Sequence, residues 1–326
     1  MSSPEPIGGF LELESLPSDG ATPELDGLLL NSGRACIEYL VTVARPRRVL
    51  LPDYVCEAVV APLERLGIDY GLYQVDGALE IGDSVEVGDD EFLLYVDYFG
   101  VKSGYARSLA QRYGARLVVD GSQSFFYRRE GTETSFTSPR KFFGVPDGGV
   151  LTLAPDLTAT GPVPELEVDE SADRFAHLLG RLESGPESAY AAFVANEERF
   201  DSLPMRAMSN VTAALLRSIP LDAVRRRRNR NFGRVHDRLG TRNALPIDAD
   251  AVDGPNFYPF MTDDRGLRER LRERRIFSPT LWPDFPSPHL GTDVHSPLAD
   301  LIVPLPIDQR YGDADMDRMI EVVHAG

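Results

Sequence analysis

Short apolar runs alternate with stretches of helical periodicity through the first 153 residues of the chain. Five runs are short, apolar and bounded by Gly, Pro or charged residues, which predicts strands. They are RRVLLP (47–52), GLYQVD (71–76), EFLLYVDYFG (91–100), ARLVVD (115–120) and GGVLTL (148–153). The intervening helical patterns are RACIEYLVTVA (34–44), VCEAVVAPLERLG (55–67) and SGYARSLAQRYG (103–114). This alternation predicts an α/β fold with a mostly parallel, doubly wound sheet sandwiched by helices.

The pattern changes after residue 154. Residues 154–172 are rich in Pro and acidic residues, which predicts a surface loop. Helices are then predicted at 172–183, 188–200, 210–218, 221–240, 264–275 and 313–323, and strands at 256–261 and 301–307. We place a domain boundary near residue 220, between a large α/β domain (1–220, with 1–30 as an N-terminal arm) and a small C-terminal α+β domain (221–326).

Composition and charge narrow the class of protein. The 326 residues are 42% hydrophobic, which is ordinary for a globular protein and excludes wholesale disorder. Acidic residues (51) outnumber basic residues (34), and the net charge of −17 repels nucleic acid and anionic membranes. No apolar run reaches the roughly 20 residues of a membrane span, and MSSPEPIGGFLELE lacks the features of a secretory signal. We therefore expect a cytoplasmic protein with no nucleic-acid or membrane partner.

Lysine, cysteine and histidine are scarce, which limits the candidate chemistry. Arg accounts for 32 of the basic residues and Lys for two, Lys102 and Lys141. Two Cys cannot build a disulfide scaffold or a zinc site, and the five His show no metal-ligand spacing, so no metal site is expected. The basic run Arg225–Arg228, with Arg230, has no interleaved aromatic residues and is expected to form a solvated helix face or to anchor acidic partners across a dimer interface.

One group of polar residues indicates a specific chemistry. Asp120 ends a predicted buried strand, Gln123 follows three residues later, and Lys141 lies in a Ser/Pro-rich segment before a Gly-Gly strand start. Upstream, NSGRA (31–35) opens a helix. Each feature also has an ordinary interpretation: a strand-end carboxylate, a polar loop residue, a surface lysine and a helix N-cap.

Together these residue types match what pyridoxal 5'-phosphate requires from a protein. The cofactor needs a lysine amine for covalent attachment, a carboxylate facing the pyridine nitrogen, and a polar group that orients the ring. Its phosphate needs backbone N–H groups at a helix N-terminus. Lys141, Asp120, Gln123 and the segment Ser32-Gly33-Arg34 supply these groups. Lys102 is expected to be a solvated loop residue, which leaves Lys141 as the candidate.

The motifs resemble those of the fold-type I pyridoxal-phosphate enzymes and, within them, the DegT/DnrJ/StrS sugar aminotransferases. The resemblance covers roughly residues 28–326. Its motifs are Ser32-Gly33-Arg34, LLPDYVCEAVVAPLERLG, Asp120-Gly121-Ser122-Gln123, Pro139-Arg140-Lys141 and Asp147-Gly148-Gly149. This resemblance implies a homodimer with a shared active site and pyridoxal 5'-phosphate as the cofactor.

The resemblance also implies roles for individual residues. Lys141 would hold the cofactor and act as the catalytic acid and base, Asp120 would pair with the pyridinium nitrogen, and Gln123 would hydrogen-bond the ring hydroxyl. The remaining cofactor-binding candidates are Ser32, Gly33, Arg34 and Ser138 for the phosphate, Tyr54 or Cys56 over the ring, and Asn210 reaching the neighbouring subunit's site.

Two departures from the family pattern concern the substrate. Asp97 stands where the family often has a substrate-facing His, and Ser138 lies three residues before Lys141, where the family's serine lies five before. The resemblance implies an aminotransferase that moves an amino group, with glutamate as the favoured donor, onto a nucleotide-linked keto-sugar in polysaccharide or antibiotic-sugar synthesis. The alternatives are a non-transaminating pyridoxal-phosphate enzyme acting on sugars, and a relative that binds a ligand without catalysis.

Overall fold

The computed structural model describes residues 7–10, 25–82, 85–285 and 296–325, which form eleven strands and ten α-helices. The strands are β1 (Ile7–Gly8), β2 (Leu28–Leu30), β3 (Arg48–Pro52), β4 (Asp69–Tyr73), β5 (Glu91–Val96), β6 (Leu117–Asp120), β7 (Thr134–Thr137), β8 (Gly149–Thr152), β9 (Phe257–Met261), β10 (Ile276–Phe277) and β11 (Ile302–Pro306). The helices are α1 (Gly33–Ala44), α2 (Val60–Leu66), α3 (Ser103–Tyr113), α4 (Ala176–Ser184), α5 (Pro186–Arg199), α6 (Asn210–Ser218), α7 (Leu221–Leu239), α8 (Leu267–Glu273), α9 (Leu298–Leu301) and α10 (Asp313–His324).

The main sheet has the strand order β2-β8-β7-β6-β5-β3-β4. Strands β3 to β7 run parallel to one another, and β8 is antiparallel to both of its neighbours. Every residue of β5 and β6 is buried, as expected for strands covered on both faces. The predicted mostly parallel α/β sheet is therefore confirmed.

Two strands of this sheet lie where the sequence pattern predicted none. Strand β2 falls inside the predicted N-terminal arm, where it pairs with β8, and β7 falls inside the segment interpreted as a loop before Lys141. Strand β2 is Leu-Leu-Leu, an apolar run too short to signal a strand, and β7 reads Thr-Ser-Phe-Thr, which has no apolar run. Pairing with their neighbours, rather than local pattern, makes them strands.

The C-terminal part of the chain forms its own small sheet. Strands β9 and β11 pair antiparallel over Phe257–Met261, and α10 packs against α7 and α8. Strand β1 pairs in parallel with β10, so Ile7 and Gly8 of the predicted arm belong to this end of the molecule. The predicted division near residue 220 falls between α6 and α7 and stays a prediction.

Helix α7 carries the basic run that was expected to be solvated. Arg225 pairs with Asp222 and Asp253 near the surface, and Arg230 pairs with Asp313. Arg228, in contrast, is completely buried, so the expectation of a solvated face is wrong at this position. Among the residues described, no helix is long and apolar enough to cross a bilayer.

Gly149 marks a close approach between β8 and the start of α1. A Cβ at this position would lie 2.7 Å from Cys36 Sγ and nearer still to the Ser32 carbonyl oxygen. Real Cβ atoms do not approach other atoms this closely, so glycine is required for the two elements to meet.

We expect Gly149→Ala to lower the free energy of unfolding by about 1–3 kcal/mol, because the added methyl group must push β8 and α1 apart. Chemical denaturation measures this loss. Gly77→Ala is the matched control, since a Cβ there meets no atom within 4 Å. Equal stability of the two variants would contradict the close approach.

Candidate cofactor site

The candidate residues converge at the carboxyl edge of the main sheet. Asp97 follows β5, Asp120 ends β6, and Ser138 follows β7. Ligands of open α/β sheets bind at this edge. The start of α1 lies beside it, since a Cβ on Gly33 would lie 3.6 Å from Ser122 Oγ in the loop after Asp120. The structure therefore brings the helix start and the Asp120 loop together, as the motifs predicted.

Asp120 presents a buried carboxylate at the end of the strand. Its side chain accepts a hydrogen bond from the Ser122 amide at 2.8 Å. Burial raises the pKa of Asp120, while hydrogen bonds from Ser122 and the positive charge of Lys141 act in the opposite direction. Within the described residues Asp120 forms no salt bridge. A buried carboxylate of this kind suits a cationic ring nitrogen as its partner.

Lys141 ends the short 3-10 turn Pro139–Lys141, which follows β7. Its amide donates to the Ser138 carbonyl at 3.0 Å, and the two residues after it, Phe142 and Phe143, are completely buried. The Lys141 residue itself is exposed at the site. The exposed Lys141 is thus attached to a backbone that is anchored by two buried aromatic side chains.

Lys102 occupies a different environment from the solvated loop that was expected. It is only 8% exposed, and its ammonium pairs with Glu80 at 2.5 Å and lies over the Tyr105 ring. The expectation of solvation is therefore wrong, because Glu80 and Tyr105 close over the side chain. Its ion pair with Glu80 also occupies this ammonium, in contrast to the exposed Lys141.

The start of α1 offers backbone donors to an anion. Ser32 is the N-cap, and its hydroxyl accepts the Ala35 amide at 3.0 Å. The Arg34 guanidinium donates to Asp201 at 2.7 Å, so this side chain is directed to α5's neighbourhood rather than held free for a ligand. The amides of Gly33 and Arg34 lie in the first turn, where helix N–H groups have no intrahelical partner and favour a phosphate.

The carboxamide oxygen of Gln123 already accepts a hydrogen bond within the protein. Its Oε1 accepts the Phe99 amide at 2.9 Å, and the residue is 2% exposed. Phe99 has a left-handed backbone with φ of 58°, an uncommon and costly conformation for an aromatic residue. Because the oxygen is held, the amide NH₂ of Gln123 is the end that can donate to a bound molecule.

The two candidates for the position over the cofactor ring lie in different surroundings. The Tyr54 ring stacks on Tyr98 with centroids 5.6 Å apart and meets the edge of Trp282 at 4.8 Å. Tyr54 is 1% exposed, and its hydroxyl has no hydrogen-bond partner among the described residues. Cys56 is half-buried just before the 3-10 turn Glu57–Val59. Tyr54 and Cys56 both stay predictions for the position over the ring.

Asn210 and Ser138 complete the set of predicted residues. Asn210 is exposed as the first residue of α6, and Ser138 is buried with no side-chain hydrogen bond to a described residue. The start of α6 is held by Asp147, which accepts from the Ser209 amide at 2.9 Å and from the Ser209 hydroxyl at 2.8 Å. Asp147, which the family motif includes, thereby fixes where Asn210 stands.

Sequence reasoning missed a carboxylate beside the lysine. Glu197 on α5 pairs with Arg140, whose guanidinium lies 3.9 Å from the centroid of the Phe200 ring. Burial would raise the pKa of Glu197, but the positive charges of Arg140, Lys141 and Arg34 together lower it. No local sequence signal marks this residue, because only the packing of α5 brings it to the site.

Asp97, which stands where the family often has a His, is completely buried, and both of its carboxylate oxygens accept hydrogen bonds within the protein. It accepts the Lys102 amide at 3.1 Å and the hydroxyls of Ser103 and Ser124 at 2.5 Å each. These bonds tie the start of α3 to the loop after β6. Asp97 therefore shapes the edge of the site instead of facing a substrate.

Comparison with known proteins was made by sequence and by structure. No protein-family model and no curated protein matches the chain. The structure of the sugar aminotransferase CalS13 from Micromonospora echinospora is 18% identical with a TM-score of 0.62, over 92% of this chain and 87% of that chain. NtdA from Bacillus subtilis, solved with bound cofactor PMP, is 14% identical with a TM-score of 0.63, over 91% and 72%.

DesI, solved in the presence of its TDP-sugar product, is 18% identical with a TM-score of 0.60, over 92% of this chain and 80% of that chain. A DegT/DnrJ/EryC1/StrS aminotransferase from Brucella abortus is 15% identical with a TM-score of 0.59, over 91% of this chain and 85% of that chain. At these identities the likeness establishes the fold alone. The predicted fold class, an α/β fold with a mostly parallel sheet, is therefore confirmed, and these solved structures share it over about 92% of the chain.

The buried carboxylate of Asp97 generates a pH-dependent prediction. Burial raises its pKa from 3.8 to about 6, so between these values the folded protein keeps a proton that the unfolded chain has lost. This stabilising contribution is present below pH 4 and is lost as the pH rises through 6, a change of about 2–3 kcal/mol.

Asp97→Asn keeps an oxygen for the Lys102 amide and can donate to both serine hydroxyls, yet it does not titrate. We expect the stability of this variant relative to the natural chain to improve by about 2–3 kcal/mol between pH 4 and pH 7. Urea denaturation at several pH values measures the difference. A gap that stays constant with pH would contradict the assignment.

Proposed function

We propose that this protein is a pyridoxal-phosphate-dependent aminotransferase that moves an amino group from an amino-acid donor to a nucleotide-linked keto-sugar. One observation carries the proposal: Asp120, Gln123 and Lys141 meet at the carboxyl edge of the parallel sheet, beside the start of α1. These groups are separated along the chain, and their convergence at one edge of the sheet supports a site for this cofactor.

The residues present fit the cofactor. Asp120 is a buried carboxylate with no salt-bridge partner among the described residues, and it would accept the ring N–H. Gln123 has a free NH₂ for the ring hydroxyl, because its oxygen is held by Phe99. The amides of Gly33 and Arg34, together with the Ser138 hydroxyl, would hold the phosphate.

When bound, the cofactor supplies an electron-withdrawing ring that stabilises negative charge at the reacting carbon. Asp120 would keep the ring nitrogen protonated, because its buried carboxylate would accept the N–H. Lys141 Nζ removes the proton from the α-carbon of the donor and returns a proton to the carbon that receives the amine. Because Phe142 and Phe143 anchor the backbone, only the Lys141 side chain has to move between these positions.

The overall reaction exchanges an amine for a carbonyl oxygen. An amino acid, for which we propose glutamate, becomes its 2-oxo acid, and the keto-sugar becomes an amino-sugar. The amine is retained by the enzyme between the two half-reactions, which gives ping-pong kinetics. The TDP-sugar product in the DesI structure supports a nucleotide-linked sugar as the substrate class. We propose polysaccharide or antibiotic-sugar synthesis as the setting.

A homodimer is part of this proposal. Large apolar side chains are exposed on α4, α5 and α6, and a second copy of the chain would cover them. They are Leu179, Leu182, Tyr190 and Val211. Val211 adjoins Asn210, so this surface would carry Asn210 toward the partner's phosphate-binding residues.

Two alternative functions make different predictions. A non-transaminating enzyme would hold the cofactor on Lys141 without turning over an amino donor, and a ligand-binding relative would not retain the cofactor. The exposed Lys141 beside a buried Asp120 supports a cofactor-binding enzyme over the ligand-binding relative, and turnover of an amino donor separates the two cofactor-dependent functions.

The first test is covalent attachment. Purified protein with pyridoxal phosphate is expected to show a visible band near 410–420 nm, the approximate position for a protonated lysine adduct. Borohydride should fix the cofactor on Lys141, as mapped by mass spectrometry, and Lys141→Ala should remove the band. Lys102→Met is the control and should retain it. A band that persists in Lys141→Ala would contradict the assignment.

The second test is transfer of the amine. With glutamate, the visible band should decay as 2-oxoglutarate appears in a single turnover, and a nucleotide-linked keto-sugar should restore it. Asp120→Asn should slow this half-reaction by about 100-fold or more, because the ring nitrogen loses its anionic partner. Cofactor bound at Lys141 with no exchange by any amino donor would favour the non-transaminating alternative.

A further inference from the structure

Arg228 is the largest completely buried side chain among the residues that the structure describes. It lies on α7 in a run of four arginines, of which Arg225 pairs with Asp222 and Asp253 near the surface. Burying a guanidinium is costly unless its donors are satisfied in a fixed geometry. The partners of Arg228 therefore determine what its burial stabilises.

The Arg228 guanidinium joins segments that are distant along the chain. Its Nη1 donates to the carbonyls of Pro255 at 2.9 Å and Asn256 at 3.1 Å, and its Nη2 donates to the Phe142 carbonyl at 3.4 Å. Its Nε donates to Gln309 Oε1 at 2.9 Å. The planar group also lies over the Phe142 ring, 4.5 Å from the centroid.

Gln309 reinforces the contact with Phe142. Its Nε2 donates to the same Phe142 carbonyl at 2.8 Å, while its Oε1 is held by Arg228. Burial would raise the pKa of the neighbouring Asp308, but the charge and hydrogen bonds of Arg310, and after them the charge of Arg228, lower it. Arg228 and Gln309 thus hold the Phe142 carbonyl, in the peptide group that joins Phe142 to Phe143, one residue after Lys141.

A second series of hydrogen bonds links Arg228 to Gln123. The carbonyl of Asn256 is held by Arg228, and the Asn256 amide donates to the Phe99 carbonyl at 2.8 Å. The Phe99 amide in turn donates to Gln123 Oε1 at 2.9 Å. Phe99 has a strained backbone, which persists only where neighbours hold it on both sides.

We propose that Arg228, together with Gln309, is a positioning residue that sets the placement of Lys141 and Gln123 relative to each other. This proposal rests on the proposed function of Lys141 and Gln123. A guanidinium can do this because its donors lie in one rigid plane, so the carbonyls it holds keep fixed relative positions. An apolar side chain of equal volume would fill the space without that constraint.

Gln309→Leu and Arg228→Met test the proposal by two measurements. The first is hydrogen exchange, in protein without cofactor, at the amides of Lys141, Phe142 and Phe143, which bond to the Ser138 and Pro139 carbonyls. The second is the rate at which the visible band is lost when bound pyridoxal phosphate is released. We expect both variants to exchange these amides and release the cofactor about tenfold faster or more, because charge-assisted bonds are lost.

Asn243→Ala is the matched control. Asn243 donates to the Pro259 carbonyl at 2.8 Å and accepts the Met261 amide at 2.8 Å, so its loss weakens the C-terminal sheet without touching the Lys141 segment. We expect this variant to unfold more easily yet to leave both readouts unchanged. A control that accelerates both readouts as much as Gln309→Leu would overturn the proposal, because general loosening would then explain the effect.

The partly buried Gln309 keeps the test decisive if Arg228→Met fails to fold. Natural exchange and release rates in Gln309→Leu would overturn the positioning proposal while leaving the proposed function intact. Absence of the band in the unaltered protein would instead overturn the proposed function, and the positioning role with it. Faster exchange and release in Gln309→Leu, with an unaffected control, would support the proposal.

Discussion

The candidate site depends on the close approach of β8 to the first turn of α1. Gly149 allows this approach, because any side chain there would meet Cys36 and the Ser32 backbone. The approach places the unpaired N–H groups of Gly33 and Arg34 beside the loop that follows Asp120. Backbone packing alone therefore brings together the start of α1, the end of β6 and the segment that carries Lys141.

The loops around the site are held by neutral donors more than by ion pairs. Asp97 is bound by two serine hydroxyls and an amide, and Asp147 by Ser209 and Thr212. Burial raises the pKa of both carboxylates to about 6. Holding loops in this way fixes their shape while leaving the positive charges of Lys141 and the α1 start available to an anionic ligand.

The fold and the function rest on different observations. Solved structures at 14–19% identity share the fold, and such a fold can host different chemistries. The proposed activity therefore rests on Asp120, Gln123 and Lys141, while the departures from the family pattern concern the substrate. Asp97 is one of these departures, and its burial shows that this carboxylate shapes the edge of the candidate site from inside the protein.

Strand ends and helix starts could be predicted because their signals are local. Strands β5 and β6 each contain an apolar run, at 92–96 and 117–119. These runs place Asp120 at a strand end, with Gln123 and Lys141 after it. Strands β2 and β7 could not be predicted in this way, since a three-residue strand and a Thr-Ser-Phe-Thr segment acquire their structure from the strands beside them.

The amino-acid sequence by itself thus determined the α/β architecture and the three residues expected at the cofactor. Only the tertiary structure decided which polar side chains are buried. It placed Arg228 in the interior, closed Glu80 and Tyr105 over Lys102, and packed the Tyr54 ring against Tyr98. The reason is physical: periodicity records which side of an element is apolar, whereas the burial of a charged or aromatic group depends on which distant segment packs against it.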